Sequence, residues 1–384
     1  MKKMAIVAVG YNRPKSMERL LRALERAEYD SDEVKLYISI DHSGTDDVER
    51  MAEAFQWSHG DKEVRTYPER MGLKKHILHC GSFLEEYDAI AVFEDDVVPA
   101  PGFYMFMKES VERYADEEDI AGISLYSYLW NGFIGVPFVP EYTEHDVYFI
   151  QYAQSWGQIW MKKQWKAFTD WLREHDTDLQ PQENMPSKVA RWPKSSWLKY
   201  HIKYCVDTNK FFVYPYRGLA TCYSEVGEHA ASHYTHVQIP MMMGMKIGYR
   251  LPLLGDEHTV KYDSFLERIP ECKVDGIAPE ELCMDLYGMR EGYMGRRYVV
   301  SSKTLPYKVV KSYALELRPQ ELNVFENIEG TDVHLYDTSE PDRPRLKDSE
   351  VSRFRYYFRL YEKTPMLLRL IKDKVTQKIN RIRK

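Results

Sequence analysis

Three consecutive carboxylates, Glu94, Asp95 and Asp96, are the residues of this sequence best suited to chemistry. They directly follow the apolar residues 91–93, and acids are depleted in buried strands because burying a charge is costly. A Mg²⁺ or Mn²⁺ ion would compensate such a cluster, since these cations are often held by one or two carboxylates together with substrate phosphates. The alternative is a solvated acidic turn, or acids paired with lysine.

The elements that must hold these acids alternate along the first hundred residues. The predicted helices span residues 16–27, 46–55 and 73–87, and a further helix begins at Phe103. Alternation of strand and helix predicts a doubly wound α/β sheet, in which ligands bind at the carboxyl ends of the strands. Asp41 ends the second strand, so it should share an edge with the three acids. The predicted strands are MAIVAVG, KLYISID, EVRTYP and AIAVFEDD.

The rest of the chain suggests further units. We predict a main domain over residues 1–250 and a smaller α+β appendage over residues 251–350, followed by a basic amphipathic tail helix over residues 351–384. The short strands expected in the appendage are VKYDSFLE, RRYVVSS, YKVVKSYALEL and DVHLYD.

The tail is strongly basic, with eleven Lys or Arg between residues 352 and 384 against Glu362 and Asp373. Such a helix is typical of contact with an anionic membrane surface, although packing on the main body would use the same pattern. The apolar residues at helical spacing are Leu367, Leu368, Ile371, Val375, Ile379 and Ile382.

Composition narrows the class and the location. The chain is 44% hydrophobic and 29% charged, and its net charge of -6 gives no signal for nucleic acid. Its five cysteines form no CxxC pair, and an odd count indicates a reducing compartment. The apolar run at residues 4–9 is too short for a signal peptide. We therefore expect a cytoplasmic protein, either free or peripheral at the inner face of the membrane.

The segments YNRPKSMERLLRAL, ISIDHSG and VFEDDVVPAPGFYMFM resemble those of the GT-A-type nucleotide-sugar glycosyltransferases. The nearest likeness is to the N-acetylglucosaminyltransferase that starts complex N-glycans and to bacterial polysaccharide transferases with a strand-EDD-P-x-F pattern, over residues 4–240. The resemblance implies the GT-A fold. It also implies metal-dependent, inverting transfer from a nucleotide-sugar, with UDP as the expected nucleotide, to a glycan or lipid-linked glycan.

The resemblance also implies roles for the acids. Asp96 would bind Mn²⁺ or Mg²⁺, Asp95 would contact the ribose, and Glu94 would support the site. Asp41 would contact the base of the nucleotide.

Other nucleotide-sugar contacts follow from the same resemblance. Asn12 and Arg13 would border the nucleotide, and Lys75 or His76 could reach it. SWGQIWMKKQW resembles an S-W-G-x-x-W element that lies beside the transferred sugar, which assigns Trp156 and Gly157 there. Each of these residues also has an ordinary structural reading, as a surface ion pair or a core position.

The resemblance fails at the general base that an inverting transferase needs. Leu198 stands where a carboxylate after a Trp is expected. Glu225 is our substitute candidate for the base, ahead of Glu228. The later Ser232-His233 pair matches a family block, so His233 could approach the diphosphate or the metal.

Two other functions remain open from the sequence. The missing carboxylate at Leu198 allows a nucleotide-sugar-binding protein that acts as a partner subunit without efficient transfer. A nucleotidyltransferase would also use acids at a sheet edge, but residues 10–14 contain one glycine and no glycine-rich phosphate loop.

Overall fold

A computed structural model describes residues 2–223, 237–346, 350–358, 368, 369, 371, 372 and 375. Strands and helices alternate through its first part, which contains β1 (Met4–Gly10), α1 (Pro14–Glu25), β2 (Lys35–Ile40), α2 (Asp47–Ala54), β3 (Lys62–Thr66), α3 (Leu73–Cys80), β4 (Ala89–Glu94), β5 (Val97–Pro99) and α4 (Phe103–Tyr114).

The middle of the chain is less regular. It contains β6 (Ile120–Ser124), β7 (Trp130–Asn131), β8 (Val136–Pro137), β9 (Val147–Ile150), β10 (Gln158–Met161), α5 (Lys162–His175), α6 (Ser187–Ala190), α7 (Leu198–Asp207), β11 (Phe211–Pro215) and β12 (Ala220–Cys222). The last part contains β13 (Lys261–Tyr262), β14 (Leu282–Asp285), β15 (Tyr298–Ser301), β16 (Tyr307–Tyr313), α8 (Leu322–Phe325), β17 (Val333–Pro341) and α9 (Glu350–Phe358).

A nine-stranded sheet organises the main body, in the order β13-β9-β11-β6-β10-β4-β1-β2-β3. Strands β3, β2, β1 and β4 are parallel, and β10 lies antiparallel between β4 and β6. The predicted doubly wound, mixed α/β sheet is confirmed. The four strands predicted in the first hundred residues hold within about two residues, while the helix predicted over residues 73–87 ends at Cys80 and continues as a 3₁₀ turn over Gly81–Glu85. Of the later predictions, VKYDSFLE is a strand only at Lys261–Tyr262, YKVVKSYALEL ends at Tyr313, and the strand at DVHLYD continues to Pro341.

Strand β1 shows why the apolar run folds this way. Alternate side chains of β1 enter the two hydrophobic clusters of the main body, with Val7 in one cluster and Ile6 in the other, so the sheet is covered on both faces. Helix α1 begins at Pro14, two residues before the predicted start, because proline suits the first helical turn, and Ser16 is buried inside the helix.

The register of the strands places their carboxyl ends together. Val9 pairs with Glu94, and Gly10 pairs with Ile40. The N–H of Asp41 donates to the carbonyl of Gly10 at 3.0 Å. The segments that follow β1, β2 and β4 therefore meet at one edge, as the sequence predicts.

The appendage is a four-stranded sheet in the order β14-β15-β17-β16, with helix α8 beside it. Strand β13 belongs to the large sheet, since it pairs with β9, although it lies beyond the boundary predicted at residue 250. A buried hydrogen bond at 2.7 Å, from the Tyr262 hydroxyl to Glu321 Oε1, joins the main sheet to the segment before α8.

Helix α9 packs on the body of the protein. The hydroxyl of Tyr357 donates to Gln320 at 2.5 Å, and its ring stacks on Tyr287 with centroids 6.2 Å apart. The first residues of the tail therefore pack on the main body, which is the alternative to membrane contact that the sequence left open. Further along, Leu368, Ile371 and Val375 are exposed. Within the described residues, no helix combines the length and apolar character needed to span a bilayer.

Glu321 should make stability depend on pH. Burial raises the pKa of Glu321 from 4.5 to about 7, so the folded protein holds this proton more tightly than the unfolded chain does. Its contribution to the free energy of unfolding is therefore complete below pH 4.5 and falls as pH rises to 7. Glu321→Gln should remove that loss, which is worth up to about 3 kcal/mol at 1.36 kcal/mol per pKa unit.

Urea unfolding of both proteins between pH 4 and pH 8 measures this effect. The stability of Glu321→Gln relative to the natural chain should rise across the interval. A difference that stays constant with pH would contradict the assignment.

Candidate active site

The acidic strand end is tied to the loop after β1 by one arginine. The guanidinium of Arg13 donates to both carboxylate oxygens of Asp95, through Nη2 to Oδ1 and through Nε to Oδ2 at 3.2 Å. It also lies 3.4 Å from Asp96 Oδ2. Burial lowers the pKa of Arg13, but the two aspartates raise it above its ordinary value on balance. Arg13 is thus a permanent cation inside the acid cluster.

Glu94 differs from its two neighbours because, among the described residues, no cation pairs with it directly. Burial first, then the charges of Asp96 and Asp95, raise the pKa of Glu94 to about 8, against the opposing effect of Arg13. Three carboxylates at this strand end therefore exceed what one arginine compensates, and a further cation would be favoured there.

Asp96 is the acid most open to a ligand. Its side chain is 32% exposed, whereas that of Asp95 is 6% exposed and each of its carboxylate oxygens accepts a hydrogen bond from Arg13. No group of three His, Cys, Asp or Glu side chains in the described part of the chain converges as a preformed metal cage. Mg²⁺ and Mn²⁺ do not need one when substrate phosphates complete the shell, so the donor set suits such an ion.

Asp41 has a structural task at this edge. Its Oδ1 accepts the backbone N–H of His42 at 2.9 Å and that of Met71 at 2.8 Å, and its Oδ2 accepts that of Gly72 at 2.9 Å. Its carboxylate therefore fixes the backbone that leads into α3. The sequence placed Asp41 at the correct edge and gave no hint of this anchoring.

The other residues proposed to contact the nucleotide differ in their exposure to solvent. Asn12 and Lys75 are exposed, so both are accessible to a ligand. His76 is buried, its Nε2 lies 2.7 Å from Ser39 Oγ, and burial lowers its pKa to about 4. His76 is therefore a neutral core residue below the edge and is not among the residues that line the cleft described next.

A cleft of about 440 Å³ opens beside the acids. Glu94, Asp96 and Trp156 are among the residues that line it. The segment that runs from α6 into the start of α7 lines it too, and we call this segment the far wall because it is distant from the acids in the sequence. Its lining residues are Trp192, Pro193, Ser195, Ser196, Trp197 and Leu198. The structure therefore joins the metal-binding candidate, the S-W-G element and the stretch around Leu198 in one concave site.

Gly157 is explained by packing. Its φ of +87° favours glycine, and a Cβ would meet Ala220, Leu125 and Phe93 at 3.1–3.3 Å. Close approach to a ligand is therefore not needed to account for this glycine. Trp156 does face the cleft, and its ring packs edge-on against Tyr126 with centroids 4.8 Å apart.

The position of Leu198 bears on the missing base. Leu198 begins α7 and lines the same cleft as Asp96, so the stretch that should carry the carboxylate does face the site. In the part of the chain that the structure describes, Glu94 and Asp96 are the only acids lining this cleft. Glu225, Glu228, Ser232 and His233 lie outside the described residues.

Sequence reasoning expected the stretch around Leu198 at the site but assigned no role to Trp192, Ser195 or Ser196. Trp192, Ser195 and Ser196 carry no recognised motif, although tryptophans set among Pro, Lys and Ser in RWPKSSW are a signal for an irregular, partly exposed aromatic segment. It also missed Tyr223, whose N–H donates to the Asp96 carbonyl at 2.7 Å and whose ring lies under the Arg19 guanidinium at 3.6 Å.

No protein-family model and no curated protein sequence matches this chain. Among solved structures, it is similar to S. aureus TarS 1-349 in complex with UDP-GlcNAc, at 15% identity and a TM-score of 0.37, over 61% of this chain and 62% of that one. It is also similar to the mannosyltransferase PcManGT from Pyrobaculum calidifontis in complex with GDP-Man and Mn²⁺, at 11% identity and a TM-score of 0.33. That match covers 56% of this chain and 55% of the mannosyltransferase, so less than two thirds of either structure is spanned.

Asp41→Asn tests the anchoring role in the ligand-free protein. An amide would set its own N–H₂ against at least one of the backbone N–H donors, so the free energy of unfolding should fall by about 2 kcal/mol. Urea unfolding measures the loss. The exposed Asp61→Asn is the matched control and should stay within about 0.5 kcal/mol of the natural chain. Equal stability of the two variants would leave Asp41 without a structural role.

Proposed function

We propose that this protein is a metal-dependent glycosyltransferase that moves a sugar from a nucleotide-sugar, with UDP as the nucleotide, to a glycan or lipid-linked glycan. The observation that carries the proposal is the cleft itself, which is lined by Asp96 and Glu94 together with aromatic and hydroxyl side chains. The carboxylates Glu94 and Asp96, with the Arg13 guanidinium nearby, suit a divalent metal ion and the diphosphate that it binds. The far wall leaves room for a second substrate.

At the donor end, Asp96 would hold Mn²⁺ or Mg²⁺, and Asp95, oriented by Arg13, would accept a ribose hydroxyl. When bound, such an ion neutralises the charge that develops on the departing diphosphate. Arg13, Asn12 and the exposed Lys75 border the nucleotide. Asp41 holds the backbone of residues 71–72, against which the base would lie.

At the acceptor end, an incoming hydroxyl must lose a proton as it attacks the anomeric carbon with inversion. Leu198 cannot accept that proton. Glu225 remains our candidate for the base, with His233 as a further contact to the diphosphate or metal. Trp156 would pack against the transferred sugar.

Leu198 in the cleft wall also supports a second candidate, a nucleotide-sugar-binding partner subunit without efficient transfer. The transferase and the binding subunit differ in whether they turn over the nucleotide-sugar donor. A transferase should slowly hydrolyse its donor in the presence of metal, whereas a binding subunit should retain the donor intact.

The tail supports a location beside a membrane. Helix α9 is anchored on the body, and Phe358 at its end approaches Trp130 with centroids 6.3 Å apart. The chain beyond it is rich in Lys and Arg, and Leu368, Ile371 and Val375 are exposed. We propose that this basic segment contacts anionic lipid, which would bring the enzyme to a lipid-linked acceptor.

A panel of nucleotide-sugars scored by thermal shift tests the donor proposal. With Mn²⁺ present, at least one donor should raise the Tm of the natural chain, because ligand binding stabilises the folded state. Asp96→Ala should lose that shift while its ligand-free Tm changes little, since this side chain is partly exposed. If no donor separates the two proteins, the proposed function is wrong.

Cosedimentation with vesicles tests the tail. A chain ending at Phe358 keeps α9 and its contacts but lacks the basic segment. It should lose binding to vesicles that contain phosphatidylglycerol, and the full chain should not bind pure phosphatidylcholine vesicles. Equal binding of the two chains to anionic vesicles would rule out the tail as the contact.

A further inference from the structure

The far wall of the cleft has features of a built binding site. Trp192 lies in the irregular segment between α6 and α7 and is half-buried against the hydrophobic core. Within the described residues its ring contacts no other aromatic ring, and its indole N–H meets no hydrogen-bond acceptor. This N–H is not among the buried unpartnered atoms of the described residues, so it is open to solvent and accessible to a ligand.

The backbone at Trp192 is held rigidly. The amine of Lys199 donates to the Trp192 carbonyl at 3.0 Å, and Lys199 is only 2% exposed. The N–H of Trp192 donates to the Val189 carbonyl at 3.1 Å. Burying a lysine amine to satisfy one loop carbonyl is costly, and it fixes the position of Trp192.

Hydroxyl groups line the same cleft as this ring. They belong to Ser195 and Ser196 in the same segment and to Ser155, which precedes Trp156 in the sequence. Within the described part of the chain, the hydroxyls of these three serines hydrogen-bond to no other group. Trp197 also lines the cleft, but it is buried and packs edge-on against Trp160 with centroids 5.9 Å apart, so it anchors the segment to the core.

We infer that Trp192, Ser195 and Ser196 form the subsite for a sugar ring of the acceptor. An aromatic face suits the C–H face of a pyranose, and nearby hydroxyls suit its equatorial hydroxyl groups. An alkyl chain would leave these hydroxyls unsatisfied, so the wall favours carbohydrate over the lipid portion of an acceptor. The inference rests on the proposed function, because it places the acceptor glycan in the same cleft as the donor acids Glu94 and Asp96.

Different lining residues of one cleft thus serve the two substrates. The acids bind the donor, and Trp192 binds the acceptor. A cleft of about 440 Å³ lies within the range of small-molecule sites and can hold the reacting ends of both. Trp192 is thus a binding and specificity residue, with no part in proton transfer.

Fluorine NMR of the full-length protein labelled with 5-fluorotryptophan tests this subsite. The chain has eight tryptophans, and Trp192→Phe identifies the Trp192 resonance. The probes are methyl glycosides of glucose, galactose, mannose and N-acetylglucosamine, with hexyl phosphate as an alkyl control. At least one glycoside should shift the Trp192 resonance in a saturable way. The resonance of Trp171, which stacks on His175 at 4.2 Å within α5, should not move.

Variants separate binding from folding. Trp192→Ala should lower the affinity for the glycoside that binds by about tenfold, and the double variant Ser195→Ala/Ser196→Ala should lower this affinity too. Binding can be followed by ligand-observed saturation transfer, and both variants should keep the Tm of the natural chain within a few degrees. A Trp192 resonance that no glycoside moves, or that hexyl phosphate alone moves, would overturn the inference.

The outcome for the donor is read separately. UDP with Mn²⁺ should stabilise Trp192→Ala as much as the natural chain, because the nucleotide end does not involve this ring. If glycosides shift Trp192 while no nucleotide stabilises the protein, the sugar subsite stands and the transferase proposal fails. If nucleotides bind and glycosides leave Trp192 unmoved, the transferase proposal stands and the subsite fails.

Discussion

The contact between Arg13 and the two aspartates is the interaction on which the account of this site depends. It brings a guanidinium from the loop after β1 against Asp95 and Asp96 at the end of β4, and so fixes the acids relative to the neighbouring strand. Without it, three adjacent carboxylates at a sheet edge would repel one another strongly. With it, Asp95 is held and buried, while Asp96 stays accessible to a ligand.

The parallel register makes this contact possible. Because β1, β2 and β4 end level with one another, Arg13, Asp41 and the acidic trio lie at the same edge. The Asp41 carboxylate accepts hydrogen bonds from three backbone N–H groups and so links this edge to the segment before α3. In the far wall, buried Lys199 plays a comparable part by holding the Trp192 carbonyl. Charged groups thus fix the backbone at both of these places around the site.

Local sequence patterns were sufficient to predict the strands of the first hundred residues and the position of the acids at the sheet edge. The apolar run of β1 is typical of a buried strand, and the strand order predicts that Asp41 lies at the same edge as the acids. Contacts between residues far apart in sequence were not predictable in the same way. The packing of Ala220 and Leu125 around Gly157 is one case, and the hydrogen bond from Tyr262 to Glu321 is another. The role of the far wall was missed because RWPKSSW has no periodicity, and only the fold brings it into the cleft with the acids.

Electron paramagnetic resonance of Mn²⁺ tests the central claim most directly, since it counts bound ions without requiring turnover. In the presence of UDP, the natural chain should bind one Mn²⁺ with an affinity that the nucleotide increases, and Asp96→Asn should abolish that nucleotide-dependent binding. An Asp96→Asn protein that binds Mn²⁺ and UDP as tightly as the natural chain would contradict the assignment of the acidic strand end as the metal and diphosphate site.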